Sequence, residues 1–103
     1  MMNVKNEGIS DQNNLKDTIA LCEHSLIQEG LCVDTLWRLA NCHYLDGNYL
    51  RALNCYLRLL SFEPENARIW NKMAIVFIKL GETKAAVDMS RIAHRMVNNQ
   101  YCE

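Results

Sequence analysis

The chain has 103 residues, 50% of them apolar and 22% charged, which is the composition of one globular domain, not of a disordered chain, and excludes a deep two-domain cleft. Eleven Lys and Arg against twelve Asp and Glu leave a net charge of −1, so no global basic field is available to hold nucleic acid. The balance is uneven: residues 1–30 carry two Lys against five acids, and residues 31–103 carry nine basic residues against seven acidic ones. An apolar run such as Ala74 to Ile78 is far shorter than the ~20 residues that cross a bilayer. The first seventeen residues are polar and show no apolar signal core. Five cysteines are an odd number, which argues against a closed disulfide framework and for a reducing compartment, cytoplasm or nucleus.

In chain order, residues 1–12 are expected to be disordered. Residues 13–30 hold one amphipathic helix, with Ile19, Ala20, Cys22, Leu26 and Ile27 inward and Gly30 as its stop. In 33–45, Leu36, Leu39, Ala40 and His43 recur at three and four residues, the stripe of a second helix. Asp46-Gly47-Asn48 breaks it, Gly47 being suited to the left-handed residue that ends a helix. A third helix over about 49–62 turns Ala52, Leu53, Tyr56, Leu59 and Leu60 inward until Pro64 stops it and forces Glu63 out of helical conformation. Helices at about 67–80 and 83–97 follow around Gly81, and 99–103 is a tail.

These elements repeat at a period of 34. Gly47 aligns with Gly81, Leu36 with Trp70, Leu39 with Met73, Ala40 with Ala74 and Ala52 with Ala86. Self-similarity at such a period signals stacked units, each too small to cover its own apolar face. The pattern Leu36, Leu39-Ala40, His43-Tyr44, Gly47, Tyr49, Ala52, Tyr56, Leu59, Pro64, with a second copy in Trp70, Met73-Ala74, Phe77, Gly81, Ala86, Ser90 and Ala93, resembles the tetratricopeptide repeat. Ala40 and Ala74 replace the usual glycine, and Asn98 stands where a proline is common. The resemblance implies an all-α fold: a short right-handed solenoid of helix-turn-helix hairpins, about five helices, with repeats at 33–66 and 67–100. Residues 13–30 would be the back half of a degenerate preceding repeat.

Catalysis finds little support. The glycines are isolated, so no phosphate loop is present, and His24, His43 and His94 fall on three separate helices. Cys42 and His43 are neighbours whose side chains point about 100° apart on a helix. Cys22, His24, Cys32 and Cys42 match no standard zinc spacing, and the cysteines read as small apolar packing residues. The expectation is a non-enzyme without cofactor or metal.

In the family, the first helix of each repeat lines a concave groove for a peptide or helix. The matching residues here are Asp34, Trp37, Arg38, Asn41, Tyr44 and Leu45, then Arg68, Asn71, Lys72, Ile75, Ile78 and Lys79. Four basic residues against one acid, beside aromatic and aliphatic contacts, suit an acidic-hydrophobic segment of a partner protein. The alternative is that Trp37 packs on a neighbouring helix and the charges are a solvated face. Asn41, Arg68 and Lys72 also stand at places where relatives clamp a chaperone tail's carboxylate, but Trp37 replaces the first lysine of such a clamp. A patch of Arg38, Arg68, Lys72 and Lys79 on a chain of net charge −1 does not suggest nucleic acid, nor does anything suggest a membrane.

The expected function is a protein-interaction adaptor. Two sharper versions stay open: a piece of a large scaffold similar to anaphase-promoting complex subunits, or a small chaperone similar to those of type III secretion. With two and a half units, the end of the stack is expected to be sticky, so self-association or end-on docking to a helical assembly is also expected.

Overall fold

The computed structural model describes residues 3–101, with side chains described for residues 14–98. It is built from five helices: α1 (Asn3–Glu29), α2 (Val33–Leu45), α3 (Tyr49–Phe62), α4 (Ala67–Lys79) and α5 (Thr83–Tyr101). α2 packs on α3 and α4 on α5 as two hairpins; α1 lies against α2 in the way that α3 lies against α4. The fold is an all-α stack of helical hairpins.

The repeat is visible in the turn hydrogen bonds. After α2, Gly47 has φ +83° and donates to the Tyr44 carbonyl at 3.1 Å, while Asn48 N–H reaches back to the His43 carbonyl at 2.8 Å. After α4, Gly81 has φ +82° and donates to Ile78 at 3.0 Å, while Glu82 reaches Phe77 at 2.8 Å. A Cβ at either glycine would meet no neighbour, so the requirement is conformational rather than a matter of space. The next helices start alike too, with Ala52 N–H on the Asn48 carbonyl and Ala86 N–H on Glu82, both at 3.0 Å.

Between the hairpins the chain turns at Pro64. Glu63 leaves helical space with φ −135° and ψ 69°, as a residue before proline must. Asn66 then caps α4: its Oδ1 accepts from Arg68 N–H at 2.9 Å, and its side-chain amide donates to Glu63 Oε1 at 2.7 Å.

The core runs through both hairpins: Leu36 from α2, Ala52, Tyr56 and Leu59 from α3, Ile69, Met73 and Val76 from α4. Ala52 has no exposed surface, which lets the α2 and α3 backbones approach. Leu36, Leu39, Ala40 and His43 are all buried, as their spacing predicts.

Four details differ from the sequence reading. Trp70, in register with buried Leu36, is half-buried, and neighbouring Ile69 fills the core. The indole is larger and must satisfy its N–H, which donates to the Pro64 carbonyl at 2.9 Å. On α1, Ile19, Cys22 and Leu26 face α2, but Ala20 and Ile27 are exposed, because α1 covers one neighbour only. Helical backbone starts at Asn3, ahead of the expected 13; the expectation of disorder in 1–12 falls on positions without described side chains, and 1–2 lie outside the described residues. α5 continues past Asn98-Asn99 to Tyr101, since asparagine only weakly disfavours a helix and no Gly or Pro intervenes. The rest of the expected tail, 102–103, is outside the described residues.

Gly47→Val and Gly81→Val should each cost about 1–3 kcal/mol, because a β-branched residue is strained at positive φ. Thermal unfolding checks this: two similar drops in Tm fit equivalent turns, whereas a shift near zero at either site contradicts the boundary there. Ala52→Leu should lose a comparable amount through overpacking.

Candidate functional site

α2 and α4 carry all the residues expected to line a groove, and the structure joins some of them. Trp37 is half-buried and sets its ring edge-on to Tyr56 of α3, with centroids 6.0 Å apart and an interplanar angle of 69°. The Arg68 guanidinium stands over the same indole, 5.1 Å from the ring centroid. Tyr56 is buried and its hydroxyl donates to Asn41 Oδ1 at 3.0 Å; burial pushes its phenol up to about 12. Trp37, Asn41 and Arg68 therefore form one cluster around Tyr56, tying α2, α3 and α4 together. Trp37 does pack on a neighbouring helix, and it also keeps a partly open face beneath a cation.

The remaining positions divide. Asp34, Arg38, Asn71 and Lys79 are exposed, Ile75 is exposed and Lys72 is half-buried. Tyr44 turns to Tyr49 across the Gly47 turn, with centroids 5.5 Å apart, so it supports the hairpin. Leu45 is exposed. Ile78 lies apart from the Trp37 cluster: it lines a depression along α5 with Thr83, Ala86, Val87, Ser90 and Arg91. Sequence reasoning missed that α5 face, although basic residues at 91, 94 and 95 recur at helical spacing beside the small Ala86 and Ser90.

Several titratable groups away from this face are buried in the core. His43 is buried, with Nε2 3.8 Å from Glu23 Oε2 of α1 and with Nδ1 left without a partner. Desolvation holds its imidazole below the ordinary value; Glu23 opposes this without reversing it. Cys22, Cys42 and Cys55 are buried, and burial raises their thiols. Cys32 is exposed at the start of α2, where hydrogen bonds from Thr35 lower its thiol. Cys102 lies outside the described residues. Among the described residues no group of three or more His, Cys, Asp or Glu could hold a metal ion, and no helix is long and apolar enough to cross a membrane.

A stack of helical hairpins joined by left-handed glycine turns defines an all-α repeat protein. Its first hairpin, residues 33–66, matches the family model of the tetratricopeptide repeat. The chain carries a tetratricopeptide repeat there, and the turn geometry at 67–100 copies it. Such repeats generally mediate protein–protein interaction. No curated protein matches the chain.

His43 gives a pH test. Its folded value lies below its unfolded value, so its full stability is present above about pH 6.5 and is lost as the pH falls through the lowered folded value. Between pH 7 and 5 the wild type should lose more Tm than His43→Leu. Parallel profiles for the two proteins would contradict a neutral buried imidazole.

Proposed function

We propose that the chain is a non-catalytic adaptor that holds an acidic-hydrophobic segment of a partner protein across α2 and α4. The observation that carries this reading is the Trp37–Arg68 stack, which offers an aromatic surface and a cation at the junction of the two hairpins. Lys72, Asn71 and Ile75 continue the same helix beyond it, and Arg38 and Lys79 add positive charge against the single carboxylate of Asp34. An incoming carboxylate would meet Arg68 and Lys72, while apolar side chains would lie against Trp37 and Ile75. The protein acts inside the cell, in cytoplasm or nucleus, on this reading.

A second reading has its own support. The open depression along α5 favours a chain that stacks end-on within a larger helical scaffold, as in anaphase-promoting complex-like assemblies, over a free-standing export chaperone. Capture from native cells separates these: one short partner in equal amounts fits a chaperone, and several large partners fit a scaffold.

Selection from a random peptide library tests the groove directly. Wild type should enrich sequences rich in Asp, Glu and large apolar residues. Arg68→Glu/Lys72→Glu should weaken binding of a selected peptide, more at low salt than at high. Loss of the cation–π contact should cost the variant only about 0.5–1 kcal/mol of stability, so it stays folded. Equal affinity in both proteins, or enrichment of basic peptides, would remove the groove from consideration.

A further inference from the structure

We propose that the pocket between α1 and α3, floored by α2, binds a small amphiphilic carboxylate, its head against the α3 wall and its apolar tail on the floor. The site shares no residue with the Trp37–Arg68 cluster and does not depend on the groove reading.

Helical phase separates the two sites. Leu39 lies two residues on from Trp37, and His43 two on from Asn41, a rotation of about 200° to the far side of α2. With Cys55 of α3 they line a pocket of about 410 Å³. That lies within the roughly 300–1,000 Å³ of small-molecule sites. α1 packs on α2 and α2 on α3, so the pocket lies within the stack and not at an open end of it.

The floor offers apolar surface and one unsatisfied polar group. Leu39 and Cys55 are buried there, and Leu26 of α1 borders them. His43 is 3% exposed, its Nδ1 has no hydrogen-bond partner, and its Nε2 stands 3.8 Å from Glu23 Oε2, too far to bond. Ile27, 78% exposed, carries apolar surface out to the mouth. A peptide backbone would bring N–H and C=O groups onto this floor without partners, whereas an alkyl tail brings none.

The walls carry opposite charge in unequal amount. On α3, Arg51, Asn54 and Arg58 recur at three- and four-residue spacing, so all three stand along one side. Among the described residues neither guanidinium has a carboxylate partner. The α1 wall holds Glu23, the single carboxylate lining the pocket. Both walls are felt on the floor. After desolvation, Glu23 and Arg51 act on the His43 imidazole, and Arg58 and then Glu23 on the Cys55 thiol. A carboxylate therefore belongs on the α3 side, where two cations and the Asn54 amide can donate to it. A cationic head would meet two guanidinium groups, and an uncharged head would leave both unpaired.

Octanoate is the probe, titrated into the full chain and followed by NMR. It should shift the Asn54 side-chain amide, the Cys55 amide and the His43 ring, and leave the Trp37 indole N–H unmoved. Octanamide and octylammonium should bind at least about tenfold more weakly. Arg51→Gln/Arg58→Gln should weaken octanoate about tenfold, with the loss shrinking as salt rises. Both side chains are exposed, so the variant keeps its fold. Glu23→Gln should tighten octanoate about threefold by removing a like charge, a gain that damage to the fold would not give. A peptide ending in Leu with a free carboxylate tests the other source of this chemistry. Tighter binding of that peptide than of octanoate would overturn the proposal, by making a partner's C-terminus the ligand. Equal binding of octanoate and octanamide, no shift at Asn54 and His43, or unchanged affinity in either variant would overturn it outright.

Discussion

Two short amphipathic helices joined by a tight turn cannot cover their own apolar stripes, and everything else in this chain follows from that constraint. Leu36 and Tyr56 of the α2–α3 hairpin share one core with Ile69, Met73 and Val76 of α4, which packs on α3. α1 closes the other side of α2 with Cys22, and Ile19 and Leu26 beside it. Each helix of the two hairpins packs most extensively on its own hairpin partner, and the neighbouring unit adds the covering that the hairpin alone lacks. Small residues at the crossings and left-handed glycines at the turns are what make this mutual covering geometrically possible.

The period of 34 made most of this architecture legible. Glycine at 47 and 81 specifies a backbone conformation that few other residues tolerate, so the turns could be placed from residue identity alone. Helix interiors followed from the spacing of Leu36, Leu39, Ala40 and His43, all of which are buried. What spacing could not supply was the identity of the residue that wins a shared position. Ile69 is fully buried while Trp70, packed against the same core, stays half-buried with its indole N–H on the Pro64 carbonyl, a contact created by the turn. The inward face of α1 was misjudged at Ala20 and Ile27 for a related reason: a helix with one neighbour buries a narrower stripe than one packed on two sides.

The groove residues show the same division. Exposure of Asp34, Arg38, Asn71 and Lys79 follows from their helical phase. The link between Trp37 and Arg68 does not, because it depends on how one hairpin is placed against the next. Asn41 is likewise drawn into satisfying the buried Tyr56 hydroxyl. A ligand-facing surface here is thus continuous with the packing between hairpins, and a change at Trp37 acts on both. The α5 face was less legible still, since a row of small and basic residues on a terminal helix looks like an ordinary solvated surface until Ile78 is seen to wall it.

The matched turn bonds also make the chain modular at the level of its covalent backbone. Because His43–Asn48 and Phe77–Glu82 are the same hydrogen bond one period apart, cutting out or duplicating 34 residues between equivalent points rejoins a helix to a turn that already fits it. An insertion of any neighbouring length would rotate the next helix by about 100° for each residue gained or lost and turn its apolar stripe out of the stack. Evolution of such a chain by slippage is consequently quantised: whole units can be gained or lost with the joint intact, while fractional ones are penalised at the first turn they reach.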